Sequence, residues 1–154
     1  MTRIFSRRFT AKTFSMVFLA LLLLLGTSTL FAQSEAPDIV INGFTAYQKS
    51  GAAAAVAAWM KDSPIENDTT ARAGLVGGMS QIQAAYGNVT GLESVRTVPI
   101  SPSVRFVYVV LKFERGPVFA RFDCYNTGKS WIITQLVLNT KAAEVWPQNL
   151  LIGK

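Results

Sequence analysis

The hydrophobic pattern changes period once along the chain. Through Tyr86 the apolar residues recur at helical spacing, and from Leu92 they alternate. Pro37-Asp38 suits a helix start, because proline lacks only a donor left unpaired there and the acid meets the positive end of the helix dipole. Val40, Phe44 and Tyr47 then make one apolar face. Ser50-Gly51 interrupts, with Ser50 as the cap of a second helix from the alanine run Ala52 to Ala55 through Val56, Trp59 and Met60. Ser63-Pro64 ends it, since the residue before a proline leaves helical geometry.

Asn67-Asp68 caps a third helix, whose stripe is Leu75, Val76, Met79, Ile82 and Tyr86, and Gly87-Asn88 stops it. Gly74, Gly77 and Gly78 lie inside this helix. Each costs about 1 kcal/mol relative to alanine, so a close backbone approach to a sheet or another helix is expected in return. A phosphate loop is rejected, because no strand precedes these glycines and no Lys-Ser/Thr follows them.

The alternating half predicts strands at Leu92 to Val98, ended by Pro99 and Pro102, then Val104 to Phe113, Val118 to Tyr125 and Trp131 to Leu138. Arg115-Gly116-Pro117 and Asn126-Thr127-Gly128-Lys129 are short turns between long apolar strands, which makes an antiparallel meander. Helices followed by such a sheet give an α+β fold: N-terminal helices packed on a curved antiparallel four-stranded sheet, enclosing a cone-shaped interior.

Residues 1–32 read as a secretory signal peptide rather than as part of the fold. Arg3, Arg7, Arg8 and Lys12 precede an unbroken apolar run from Met16 to Leu25, and Leu30-Phe31-Ala32 offers a cut before Gln33, with a cut after Ser28 as the rival. The protein is then exported, periplasmic or extracellular, and meets a membrane only if the leader is retained. Residues 33–147 form the domain and 148–154 a C-terminal tail. The leader also carries much of the positive charge: 11 basic and 9 acidic residues remain beyond it, without a basic cluster, so no nucleic-acid partner is expected.

Composition narrows the chemistry. The 154 residues include no His and one Cys. This removes Ser-His, Cys-His and His-metal mechanisms and an intrachain disulfide, and no metal or other cofactor is expected. Lone Cys124 is read as buried and inert. Asn67-Asp68-Thr69 and Asn88-Val89-Thr90 mark surface loops.

The last hairpin carries a resemblance. Asn126-Thr127-Gly128-Lys129-Ser130-Trp131-Ile132-Ile133, with Leu138-Asn139-Thr140 and Trp146-Pro147 after it, resembles the nuclear transport factor two-like superfamily with its cystatin-like cone, and small exported bacterial members in particular. The resemblance implies the cone over most of residues 37–147. It implies no single activity, because the superfamily spans isomerases, dehydratases, cyclases, dimerisation modules and ligand binders. Its enzymes place an acid or a His in the cone, often beside a Tyr, and the missing His weighs against the dehydratase version.

Phe119, Arg121, Asp123 and Tyr125 alternate along one strand and share a face. As a polar spot in a hydrophobic pocket, Arg121 and Asp123 between two aromatics would hold an anionic or hydroxylated ligand. Asp123 would then serve as a base, with Tyr125 or Arg121 as its helper. The opposite set, Val118, Ala120, Phe122 and Cys124, is uniformly apolar and makes the better core face. That puts the four site candidates on the outer or dimer-facing side, with Arg121 and Asp123 a solvated pair of little energetic weight. The alternation favours this second arrangement. Arg105 belongs at a rim. Trp59, Trp131, Trp146, Phe106 and Tyr108 are either core packing or a binding surface. The resulting expectation is a non-catalytic exported module that binds a small apolar molecule or a protein partner, with a homodimer through the sheet. The alternative is an isomerase- or cyclase-type enzyme with an acid in the cone.

Overall fold

The computed structural model describes residues 36–152, so the expected leader at residues 1–32 lies outside the described residues. Two helices, α1 (Asp38–Trp59) and α2 (Thr69–Tyr86), precede four strands, β1 (Val89–Ser101), β2 (Val104–Phe113), β3 (Gly116–Asn126) and β4 (Trp131–Asn139). A short 3-10 turn (Ala142–Glu144) and a four-residue helix, α3 (Gln148–Leu151), follow. The sheet is an antiparallel meander in the order β1-β2-β3-β4, with α1 and α2 on one face, which is the expected α+β arrangement.

The helix signals act as the sequence implies, with one exception. Pro37 caps α1 and Asp38 opens it. The expected break is present and divides α1 into two helical stretches; only the expected Ser50 cap is missing. The break lies at Gly51, whose φ of 80° interrupts the helix. Glycine alone takes that backbone conformation without steric cost. Asp68 caps α2 by accepting a hydrogen bond from the Ala71 amide at 2.9 Å, and Gly87 ends it with φ 83°.

The strands run longer than the pattern suggests. β1 passes through Pro99 to Ser101. A proline costs nothing in the ladder when its missing donor would face outward, and β1 is an edge strand. Three register shifts, at Val89/Gly91, Ser94/Arg96 and Pro99/Ser101, twist this edge and blunt it against pairing with other chains. β2 keeps the bounds read from the sequence.

Pairing defines two faces. On the inner face Val107, Val109 and Leu111 of β2 stand opposite Phe122, Ala120 and Val118 of β3. Helix α1 lays Val40, Phe44, Tyr47, Ala55, Val56 and Trp59 onto them, all buried. Trp59 sits at the centre. Its ring lies 5.2 Å from that of Phe122, and its indole N–H donates to the Val40 carbonyl at 3.0 Å. Gly43 leaves the space that the indole fills, because a methyl group there would overlap the ring. Helix α2 touches this core more lightly, through buried Met79 and the partly buried Leu75, Val76, Ile82 and Tyr86.

One expectation fails. A methyl group added at Gly74, Gly77 or Gly78 would meet nothing within 4 Å among the described residues. These glycines permit no close packing. Gly74 and Gly78 instead line an open groove of about 350 Å³ between α2 and β4. The helix bears their cost with no contact inside the domain to offset it.

Candidate functional site on the outer sheet face

The cone is filled rather than hollow. Trp59, Phe122, Val107, Val109, Val118 and Ala120 have no solvent exposure, and they occupy the space between α1 and the inner sheet face. Cys124 is buried among them, and burial first, then the Asp123 carboxylate, pushes its thiol up to about 12, against a smaller opposing effect from Arg105. A thiol held protonated in this way is neither a nucleophile nor a metal ligand. Among the described residues no cluster of three His, Cys, Asp or Glu side chains is placed to hold a metal.

The outer face carries the polar chemistry. Its cross-strand rows follow from the register: Arg96–Tyr108–Arg121–Val137, then Val98–Phe106–Asp123–Gln135. Phe119 and Tyr125 lie on the same face of β3, so the structure brings all four sequence-predicted site residues to one surface, opposite the core. Arg121 and Asp123 bind each other through two hydrogen bonds, Nε to Oδ1 at 2.8 Å and Nη2 to Oδ2 at 3.3 Å. The guanidinium also lies 5.3 Å from the Phe106 ring centre. Their side chains are only 27% and 14% exposed. The pair is therefore not the freely solvated one that the alternation suggested, since neighbouring aromatics cover most of it. Tyr125 is 42% exposed, and Phe119 packs edge-on against Trp146 with ring centres 4.8 Å apart. An acid–base reaction of the isomerase type requires a carboxylate aimed into an enclosed apolar space. Asp123 is aimed at Arg121 on the outside of the sheet.

The C-terminal segment completes the surface. Trp146 anchors it on Phe119 and donates its indole N–H to the Ala120 carbonyl at 3.4 Å. Pro147, Asn149 and Leu150 then form one wall of a groove of about 450 Å³, with Arg96, Val98, Ile100, Phe106 and Tyr108 on the sheet side. Tyr108 is nearly buried. Its hydroxyl is pushed above its ordinary pKa by burial, with Arg121 lowering it and Asp123 raising it by smaller amounts. Ile100 remains 54% exposed at the rim. A wider depression of about 620 Å³ lies at the other end of this face, but its charges are spent on each other, Lys112 Nζ meeting Glu93 Oε1 at 2.8 Å.

The remaining aromatics divide between the two roles open to them. Trp59 is core, Phe106 and Tyr108 line the groove, and Trp131 carries the Arg105 guanidinium 4.1 Å above its ring at the rim of the inner face. Sequence reasoning missed Arg96, Val98, Ile100 and Leu150 as lining residues. The available signal was Trp146-Pro147 followed by apolar Leu150.

Fold and site together define an α+β domain with a tightly packed centre and an external, mostly apolar groove beside a paired Arg and Asp. No protein-family model matches the chain, and no curated protein or solved structure matches it either. No helix among the described residues is long and apolar enough to cross a membrane.

Proposed function

We propose that the protein is an exported, non-catalytic binding module of the nuclear transport factor two-like type, and that it holds a small apolar molecule in the groove between the outer sheet face and the C-terminal segment. The observation that carries this reading is the contrast in filling. The interior is occupied by Trp59 and Phe122, whereas about 450 Å³ stands open against Phe106, Tyr108 and Leu150. That volume lies within the range of roughly 300–1,000 Å³ typical of small-molecule sites. Export is supported by the basic, then apolar, pattern of residues 1–32.

The test is calorimetric titration of the full chain with 1-octanol. Saturable binding is expected. Val98→Trp, which fills the groove, abolishes it without lowering the melting temperature. No saturable binding, or binding that survives Val98→Trp unchanged, overturns the assignment of the groove. Export is checked by the mass of the protein recovered outside the cytoplasm, expected to begin at Gln33.

A further inference from the structure

Resting on the groove assignment above, we infer that the ligand carries a single anionic head, of the carboxylate kind, and that Arg96 is the residue that receives it. The inference concerns charge, which the groove's shape alone does not address.

Two guanidinium groups flank Tyr108 across the sheet, Arg96 on β1 and Arg121 on β3, but they are in opposite states. Arg121 is neutralised by both Asp123 oxygens and covered by Phe106. Arg96 is exposed and has no carboxylate, hydrogen-bond or ring partner among the described residues. It stands where Val98, Ile100, Phe106 and Leu150 form the apolar part of the same groove. The two acids carried on this face by the described strands are already engaged: Glu93 with Lys112, and Asp123 with Arg121. Among the described residues the groove therefore has an apolar body and, at its mouth, one positive charge without a partner. The chemical complement is an amphipathic molecule with an apolar chain and one anionic end. A guanidinium offers two parallel donors to a carboxylate, a geometry that an ammonium group does not share. Placing the head at Arg96 keeps it near water, so its desolvation is partial, while the chain lies against side chains whose burial is favourable.

The Arg121–Asp123 pair lies beyond Phe106 and Tyr108, outside the groove lining, and offers no free carboxylate to a ligand there. A ligand with a cationic head would meet Arg96 by repulsion and find Asp123 already committed, so it gains nothing to offset that repulsion.

The full chain is titrated with sodium octanoate, 1-octanol and octylammonium at equal ionic strength. Octanoate is expected to bind about tenfold more tightly than octanol, the range for a hydrogen bond to a charged group, and octylammonium more weakly than either. Arg96→Gln removes the octanoate advantage and leaves octanol binding as it was. Lys112→Gln, which removes a cation from the neighbouring depression, leaves the advantage intact and so separates contact from general attraction. Equal binding of octanoate and octanol, or an advantage that persists in Arg96→Gln, overturns this inference while the groove assignment stands. No saturable binding of any of the three overturns the groove assignment beneath it.

Discussion

The two faces of one sheet solve different problems. The inner face pairs small and large apolar side chains across strands, as Val109 meets Ala120 and Val107 meets Phe122, and α1 closes the layer with Trp59. The outer face mixes rings with charges, and among the described residues its cover is a short C-terminal segment held by Trp146. The difference teaches where binding can occur. A face whose centre is packed to zero exposure supplies stability, and a face left half-covered supplies access.

The largest expected effect tests the seal. Trp59→Ala should lower the unfolding free energy by about 3–5 kcal/mol, a large part of the roughly 5–15 kcal/mol available to a domain. Urea denaturation measures it. Gly43→Ala sharpens the point, because its methyl group would overlap the indole. It should cost about 1–3 kcal/mol in the parent protein and much less in the Trp59→Ala background, and this non-additivity is the signature of direct contact. Full additivity would mean that Gly43 is needed for another reason.

The next effect has the opposite sign and compares the two helices. Helix α1 needs Gly43 for contact, whereas a methyl group at Gly74, Gly77 or Gly78 of α2 would meet nothing within 4 Å among the described residues. Replacing all three with alanine should stabilise the domain by about 2–3 kcal/mol through helix propensity and reduced freedom of the unfolded chain, read as a raised denaturation midpoint. A destabilised triple variant would show that something covers this helix face.

Much of this arrangement is written locally. The switch from helical to alternating spacing places three helical stretches, the first two joined across the Gly51 kink, before four strands, and Asp68 and Gly87 mark helix ends because capping depends on a few neighbouring residues. The uniformly apolar set Val118, Ala120, Phe122 and Cys124 identifies the inner face for the same reason. What the sequence does not display is long-range. Whether Pro99 ends a strand depends on β1 lying at an edge, which is a property of the whole sheet. The glycines of α2 look like packing sites until their surroundings are known. The groove joins residues 96–108 to residues 147–150, and neither segment announces the other. The Arg121–Asp123 spacing predicts a shared face, but not that aromatics would cover the pair.

Asp123→Ala addresses that covered pair. It strands a guanidinium that is about a quarter exposed, so the cost should be about 1–2 kcal/mol, less than for a fully buried pair. Replacing both partners, as Arg121→Met with Asp123→Leu, should recover most of the loss, because the penalty lies in the orphaned charge rather than in a missing attraction. Urea midpoints of the two variants decide it. A double variant no better than Asp123→Ala would mean that the pair holds the outer face in shape.

Cys124 gives the smallest effect at neutral pH and a distinctive one above it. The thiol is inert while the fold holds, so a disulfide reagent at pH 7 should label it only after denaturant is added. Its behaviour in base follows from where each state gives up the proton. The unfolded chain releases it near 9.0, and the folded chain keeps it to about 12. Between those values the folded state binds more protons, so the thiol's contribution to stability is complete below pH 9 and drains away as pH rises through that window. The Tyr47 and Tyr108 hydroxyls, also raised by burial, add a loss of the same sign from about pH 10 upward. Comparison with Cys124→Ala removes their share, since both proteins retain them. Stability measured in steps from pH 8 to 11 should fall more steeply in the parent than in the variant, the two slopes separating before the tyrosines take part. Parallel slopes would mean that water reaches Cys124 on the inner face, and the contrast between a packed and an accessible side of the sheet would then fail.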